Sequence, residues 1–217
     1  MKSAAAHTPP PPAAKRPYRL GARAEAARAS AERMVEAFVG RMREGWFEEI
    51  RLEDVARDAE VSVQTLIRRF GGKEGLLEAA IERVGQEVRA RRAASPGDLD
   101  ATLRALVEDY EASGDLVLRV LAQEERHSAL RRATDVGRAG HRAWLAEAFA
   151  PALAPLPPAE RERRLDALVV VTDIYLWKLV RRDMGRPIDE LFALMQRLVP
   201  AALAAPAFQP QAAGARP

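Results

Sequence analysis

The chain has 217 residues, 48% of them hydrophobic and 30% charged, with a formal net charge of +3. That length suits one domain of moderate size or two small ones with a genuine apolar core. The lack of cysteine excludes disulfides, thiolate metal sites and cysteine catalysis.

Three histidines, His7, His127 and His141, show no metal-ligand spacing, so no metal and no other cofactor is expected. No strand-like alternation of Val, Ile, Thr and aromatics stands out, whereas Ala, Leu, Arg and Glu dominate, and the expected fold class is all-α. The first residues lack the apolar run of a secretory signal, and no stretch of about 18 apolar residues could span a bilayer. A cytoplasmic location without membrane contact is the expectation.

In chain order, residues 1–22 form a Pro- and Ala-rich arm with the run PPPP at Pro9–Pro12, read as disordered. Through Arg23 it carries Lys2, Lys15, Arg16, Arg19 and Arg23 and no acid. Such an arm either lies along a DNA backbone or minor groove or serves as a solubilising tail. From about Arg23 to Glu44 a long helix places Ala27, Ala31, Met34, Val35, Phe38 and Met42 on one side, and Trp46 and Phe47 follow Gly45 as core anchors.

Residues 52–74, LEDVARDAEVSVQTLIRRFGGKE, read as two short helices around a tight turn, then the start of another. Leu52, Val55, Ala56 and Ala59 share one face of the first. Ser62 is placed to cap the second, in which Val63, Leu66, Ile67 and Phe70 fall in one arc and Gln64, Thr65, Arg68 and Arg69 in the other. Gln and Arg are the residue types that pair bidentately with adenine and guanine in the major groove, although an ordinary solvated polar face has the same periodicity.

Residues 28–82 resemble the DNA-binding domain of the tetracycline-repressor-like (TetR) family of bacterial regulators. The matching residues are Val55-Ala56, Val61-Ser62, Thr65-Leu66, Phe70 and Lys73-Glu74, in order and in register. The resemblance implies a helix-turn-helix domain over 23–72 and a connecting helix over 73–93. It also implies DNA contacts from Arg51, Ser62, Val63, Gln64, Thr65, Ile67, Arg68, Arg69 and Lys73. Ile67 stands where the family has a phosphate-binding tyrosine, Arg69 where it has histidine, Arg51 near its usual Ser or Thr, and Glu60 where it has a turn glycine. The turn therefore either tolerates Glu60 or is strained there. Lys73, at the first turn of the next helix, is read as a phosphate clamp.

Residues 98–205 read as about five helices separated by Gly114, a break near 128–133, PALAPLPP and Gly185-Arg186-Pro187, with a disordered tail over 206–217. This part resembles the same family's effector-binding and dimerisation domain in architecture only. LDALVVVTDIYLWKLV, Leu165–Val180, is apolar around most of its circumference and must be covered on more than one side. Paired with IDELFALMQRLVPAAL, it suggests a four-helix dimer interface through Leu168, Thr172, Leu176, Leu179, Leu191, Leu194 and Leu198, the alternative being a central helix buried in its own domain. Asp173 reads as a buried carboxylate, paired with an arginine or aimed into a cavity. Tyr110, His141, Trp144, Phe149 and Asp173 are the candidate ligand-pocket residues.

The expected protein is a homodimeric regulator that binds a palindromic double-stranded operator and is a repressor released by an unidentified small-molecule effector. The alternative is a DNA-binding regulator without an effector, constitutive or controlled by protein partners. An enzyme is not expected, because no glycine-rich phosphate loop and no nucleophile beside a base is present.

Overall fold

The computed structural model describes residues 16–93 and 96–204, and every regular element in them is helical. They are α1 (Arg16–Glu44), a 3₁₀ turn at Phe47–Glu49, α2 (Leu52–Asp58), α3 (Val63–Phe70), α4 (Lys73–Arg91), α5 (Leu99–Leu121), α6 (Ser128–Ala148), α7 (Ala150–Leu153), α8 (Pro158–Thr172), α9 (Ile174–Lys178) and α10 (Ile188–Ala204). Most of the arm and the 206–217 tail lie outside the described residues. Among those residues no helix is long and apolar enough to cross a membrane.

Two apolar cores organise the chain. The first joins α1 to α4 through Met34, Phe38, Val55, Leu66 and Leu76, and it also takes in Leu116, Ala129 and Leu130 from α5 and α6. The second packs α5 to α10 around Trp177, Leu103, Leu145, Leu168, Leu191 and Met195. The N-terminal unit is therefore seated on α5 and α6 and does not hang from α4 alone. Two hydrogen bonds reinforce the seat: the Phe47 N–H donates to Oε1 of buried Gln123 at 2.7 Å, and Arg43 donates to the Ala112 carbonyl at 3.2 Å.

The break expected near 128–133 falls at 122–127 instead, so that 128–133 opens α6, and four further features differ from the sequence-based expectation. Helix α1 begins at Arg16 rather than near Arg23, and Ala27 is exposed, so its buried stripe starts at Met34. Trp46 is 38% exposed, while Phe47 alone is the anchor. Gly114 does not interrupt α5, because its missing side chain makes room for the Trp177 ring, whose Cη2 would lie 2.6 Å from an added Cβ.

The fourth difference is in Leu165–Val180, which is not one helix. The chain becomes extended at Asp173 (φ −65°, ψ 152°), and the Asp173 carboxylate caps α9 by accepting from the Tyr175 N–H at 2.9 Å. A short aspartate competes well for backbone amides at a helix start, so this residue ends one helix and begins the next. After α9 a π-type turn over Leu179–Asp183 leads to Gly185, whose φ of +63° suits glycine.

Candidate nucleic-acid interface

Helices α2 and α3 meet at a corner closed by the Val61 N–H donating to the Ala56 carbonyl at 2.9 Å. Glu60 adopts φ +56° there, so the open question about this position resolves as backbone strain in a residue with a Cβ. Ser62 caps α3 as expected, its Oγ accepting from the Thr65 N–H at 3.2 Å. Leu66 is fully buried against α2 and fixes the helix, with Val63 and Phe70 half-buried beside it.

That anchoring turns Gln64, Arg68 and Arg69 outward. Among the described residues no carboxylate lies within ion-pair distance of Arg51, Arg68 or Arg69, so three cationic groups around the corner are uncommitted. Ile67, expected in the inner arc, is instead 45% exposed between Gln64 and Arg68. An α-helix carrying a glutamine, an arginine and an aliphatic side chain on its solvent face has the groups needed to read base edges, the apolar one against a thymine methyl.

The step from α3 to α4 is made by three glycines. Gly71 ends α3 in the left-handed region (φ +77°) with its N–H on the Ile67 carbonyl, and Gly72 follows at φ +142°. Gly75, which the sequence reading passed over, is the tightest point: a Cβ there would sit 1.8 Å from the Phe70 carbonyl oxygen. Only glycine lets the first turn of α4 approach the end of α3 so closely.

Lys73 is not a free clamp. Its ammonium donates to the Glu48 carbonyl at 3.2 Å and lies 4.6 Å from the Phe47 ring centre, and burial holds its pKa below the usual lysine value despite the nearby Glu48 carboxylate. It ties the start of α4 to the 3₁₀ turn.

Residues 45–80 match the family model for bacterial regulatory proteins of the tetR family. Over that stretch the chain is similar to the regulators of this family. Solved structures of similar fold include a protein described as a TetR-family transcriptional regulator from Rhodococcus, at 19% identity and TM-score 0.65, with 81% of this chain and 99% of that one covered. A tetR-family regulator from Streptomyces coelicolor aligns at 16% identity and TM-score 0.64 over 81% and 82% of the two chains. The fatty acid degradation regulator FadR from Bacillus halodurans aligns at 16% identity and TM-score 0.56 over 83% and 97%. No curated protein matches the chain in sequence.

Beyond the matched stretch, the far end of α4 enters a buried polar cluster that gathers most of the expected pocket residues. Asp109 of α5, 1% exposed, accepts from Arg91 Nε at 2.8 Å and Arg92 Nε at 2.7 Å. Arg92 also bonds His141 Nδ1 at 3.0 Å, and its carbonyl accepts from the Trp144 indole at 2.9 Å. A guanidinium has only donors, so His141 Nδ1 must accept and its proton sits on Nε2, 3.1 Å from Thr172 Oγ1. The Thr172 hydroxyl passes its own hydrogen to the Leu168 carbonyl at 2.7 Å.

The helix break at Asp173 leaves the Thr172 carbonyl free to accept the Tyr110 hydroxyl at 2.9 Å, and burial keeps that hydroxyl protonated. Burial, aided by the neighbouring Arg92 charge, pushes the His141 pKa down to about 3, so the ring stays neutral. Phe149 is buried as plain core, and Asp173, half-exposed, makes no hydrogen bond to the cluster. Asp109 and Arg92 were not singled out from the sequence. The available signal was a carboxylate on the apolar face of α5, between Leu106, Val107 and Tyr110.

Of the expected interface residues, Leu168, Thr172 and Leu191 have no exposure and belong to the chain's own core. Leu176, Leu194 and Leu198 are half-buried, and Leu179 is 49% exposed. The same stretch of chain also exposes Val170, Tyr175, Met184 and Ile188.

Proposed function

We propose that the chain is a dimeric, sequence-specific transcriptional regulator, a repressor whose hold on a near-palindromic operator is released by a small molecule. The observation that carries the reading is the outer surface of α3, where Gln64, Ile67 and Arg68 project together from a helix anchored by Leu66. In this role Gln64 and Arg68 bond base edges, Ile67 packs on a thymine methyl, and Arg51 and Arg69 neutralise phosphates in place of the absent tyrosine.

Dimerisation through the exposed apolar residues of α8, α9 and the turn that follows, Val170, Tyr175 and Leu179, would set two recognition helices one DNA turn apart, roughly 34–36 Å. The protein would then act in the cytoplasm, where its DNA is. Release requires a ligand that favours a second arrangement, with coupling of typically ~1–3 kcal/mol. The Arg92 cluster suits that task, because a ligand displacing Asp109, His141 or Trp144 would move the far end of the helix whose first turn abuts α3.

The second reading, a regulator without an effector, is favoured by one observation: the polar groups of that cluster are bonded to one another. Fluorescence anisotropy with single-base operator variants tests the readout itself. Gln64→Ala should lose discrimination at one position per half-site, worth about 1–3 kcal/mol, while keeping affinity elsewhere. Uniform loss over all sequences would remove Gln64 from base readout.

A further inference from the structure

Helix α1 is far longer than its packing requires. Among its described side chains the first buried one is Met34, and Arg23 to Ala29, Glu32 and Arg33 are all exposed. Arg23 to Ala29 thus stand clear of the core, and the helix runs on from them back to Arg16, about 20 Å ahead of Ser30 at ~1.5 Å per residue.

Its direction is fixed by two contacts. Near the C-terminal end, Arg43 bonds the Ala112 carbonyl of α5 in the second unit. Ten residues earlier, Arg33 Nε bonds the Ala59 carbonyl at the corner between α2 and α3, at 3.5 Å. The helix axis therefore runs from the second unit past the helix-turn-helix corner, and the extension continues beyond that corner, away from α5.

Its chemistry is equally one-sided. From Arg16 to Ser30 the sequence holds Arg16, Arg19, Arg23 and Arg28 against the single acid Glu25, with Arg16, Arg19 and Arg23 recurring at three- and four-residue spacing. Among the described residues neither Arg23 nor Arg28 has an ion-pair partner. From Arg16 to Arg33 the only apolar side chains larger than alanine are Pro17, Tyr18 and Leu20, all at the very start, and none follows through thirteen residues. Such a surface offers almost nothing to a protein partner or to a bilayer, both of which need apolar area. A polyanion needs only the charge.

We propose that the N-terminal half of α1 is a second DNA-binding element, which lies along the phosphate backbone of the duplex flanking each half-site and adds affinity without adding sequence preference. The proposal rests on the DNA-binding role of α3. Bound in this way, each arginine that neutralises a phosphate adds about 0.9 to the slope of log affinity against log salt concentration.

The test uses the full chain and its Arg16→Ala/Arg19→Ala/Arg23→Ala variant, since alanine preserves the helix. Each is titrated on two duplexes carrying the same selected operator, one ending flush with the half-sites and one extended by ten base pairs on each side. The full chain should bind the extended duplex at least tenfold more tightly at 150 mM salt. The triple variant should lose that gain, show a slope lower by two or more, and select the same operator sequence. An unchanged slope and an unchanged gain from the flanks would overturn the proposal while leaving α3 as the reader. Failure of the full chain to bind any duplex would overturn both.

Discussion

Gly75 shows how much of this protein is decided by the lack of one atom. A Cβ at that position would meet the Phe70 carbonyl oxygen at 1.8 Å, and the obstacle is backbone, which cannot rotate away. Gly75→Ala should therefore destabilise the N-terminal unit at the upper end of, or beyond, the ~1–3 kcal/mol typical of overpacking. A thermal melt followed by circular dichroism checks this, and a variant that melts with the parent would mean that α3 and α4 are farther apart. His141 gives a second prediction, in pH. Its folded pKa of about 3 lies below the ~6.5 of an unfolded histidine, so the unfolded chain takes up the proton first. The stability contributed by the neutral ring is complete above pH 6.5 and is lost as pH falls towards 3. Between pH 7.5 and 5 the parent should lose roughly 2 kcal/mol more than His141→Gln in urea unfolding. Equal losses would place a protonated ring in the folded cluster.

At the scale of elements, the helices that form amphipathic stripes were legible from spacing alone: Val55, Ala56 and Ala59 in α2, and Leu66 with the Ser62 cap in α3, stand where a 3.6-residue period puts them. What spacing could not give was anything set by a neighbour distant in sequence. Gly114 looks like a break because glycine is a poor helix former, yet it is required by Trp177 sixty-three residues later. The buried carboxylate expected at Asp173 is instead Asp109, for the same reason. A lone carboxylate in an apolar run is either a cap or a buried ion, and only tertiary contacts decide between them. The face around Leu179 carries the prediction at this scale. Because Leu179 is half exposed in the single chain, Leu179→Asp should fold normally but run as a monomer in light scattering and bind operator weakly. An unchanged dimer mass would move the interface elsewhere.

In the whole molecule, α4 links the two units. Its first turn is clamped by Gly75 against α3 and by Lys73 on the Glu48 carbonyl, and its last turn is held by the Asp109 and His141 cluster. The Phe47 to Gln123 bond offers a second, shorter route between the same units. A displacement of Arg92 would reach α3 through either route, which would couple the two ends in the way the proposed function requires. The central claim remains that α3 reads DNA. Selection of bound sites from a random duplex pool by the purified full chain tests it most directly. Recovery of an inverted repeat with half-sites about one helical turn apart, 10–10.5 base pairs centre to centre, is the predicted result. A pool that returns no preferred sequence, or no bound duplex at all, would contradict it.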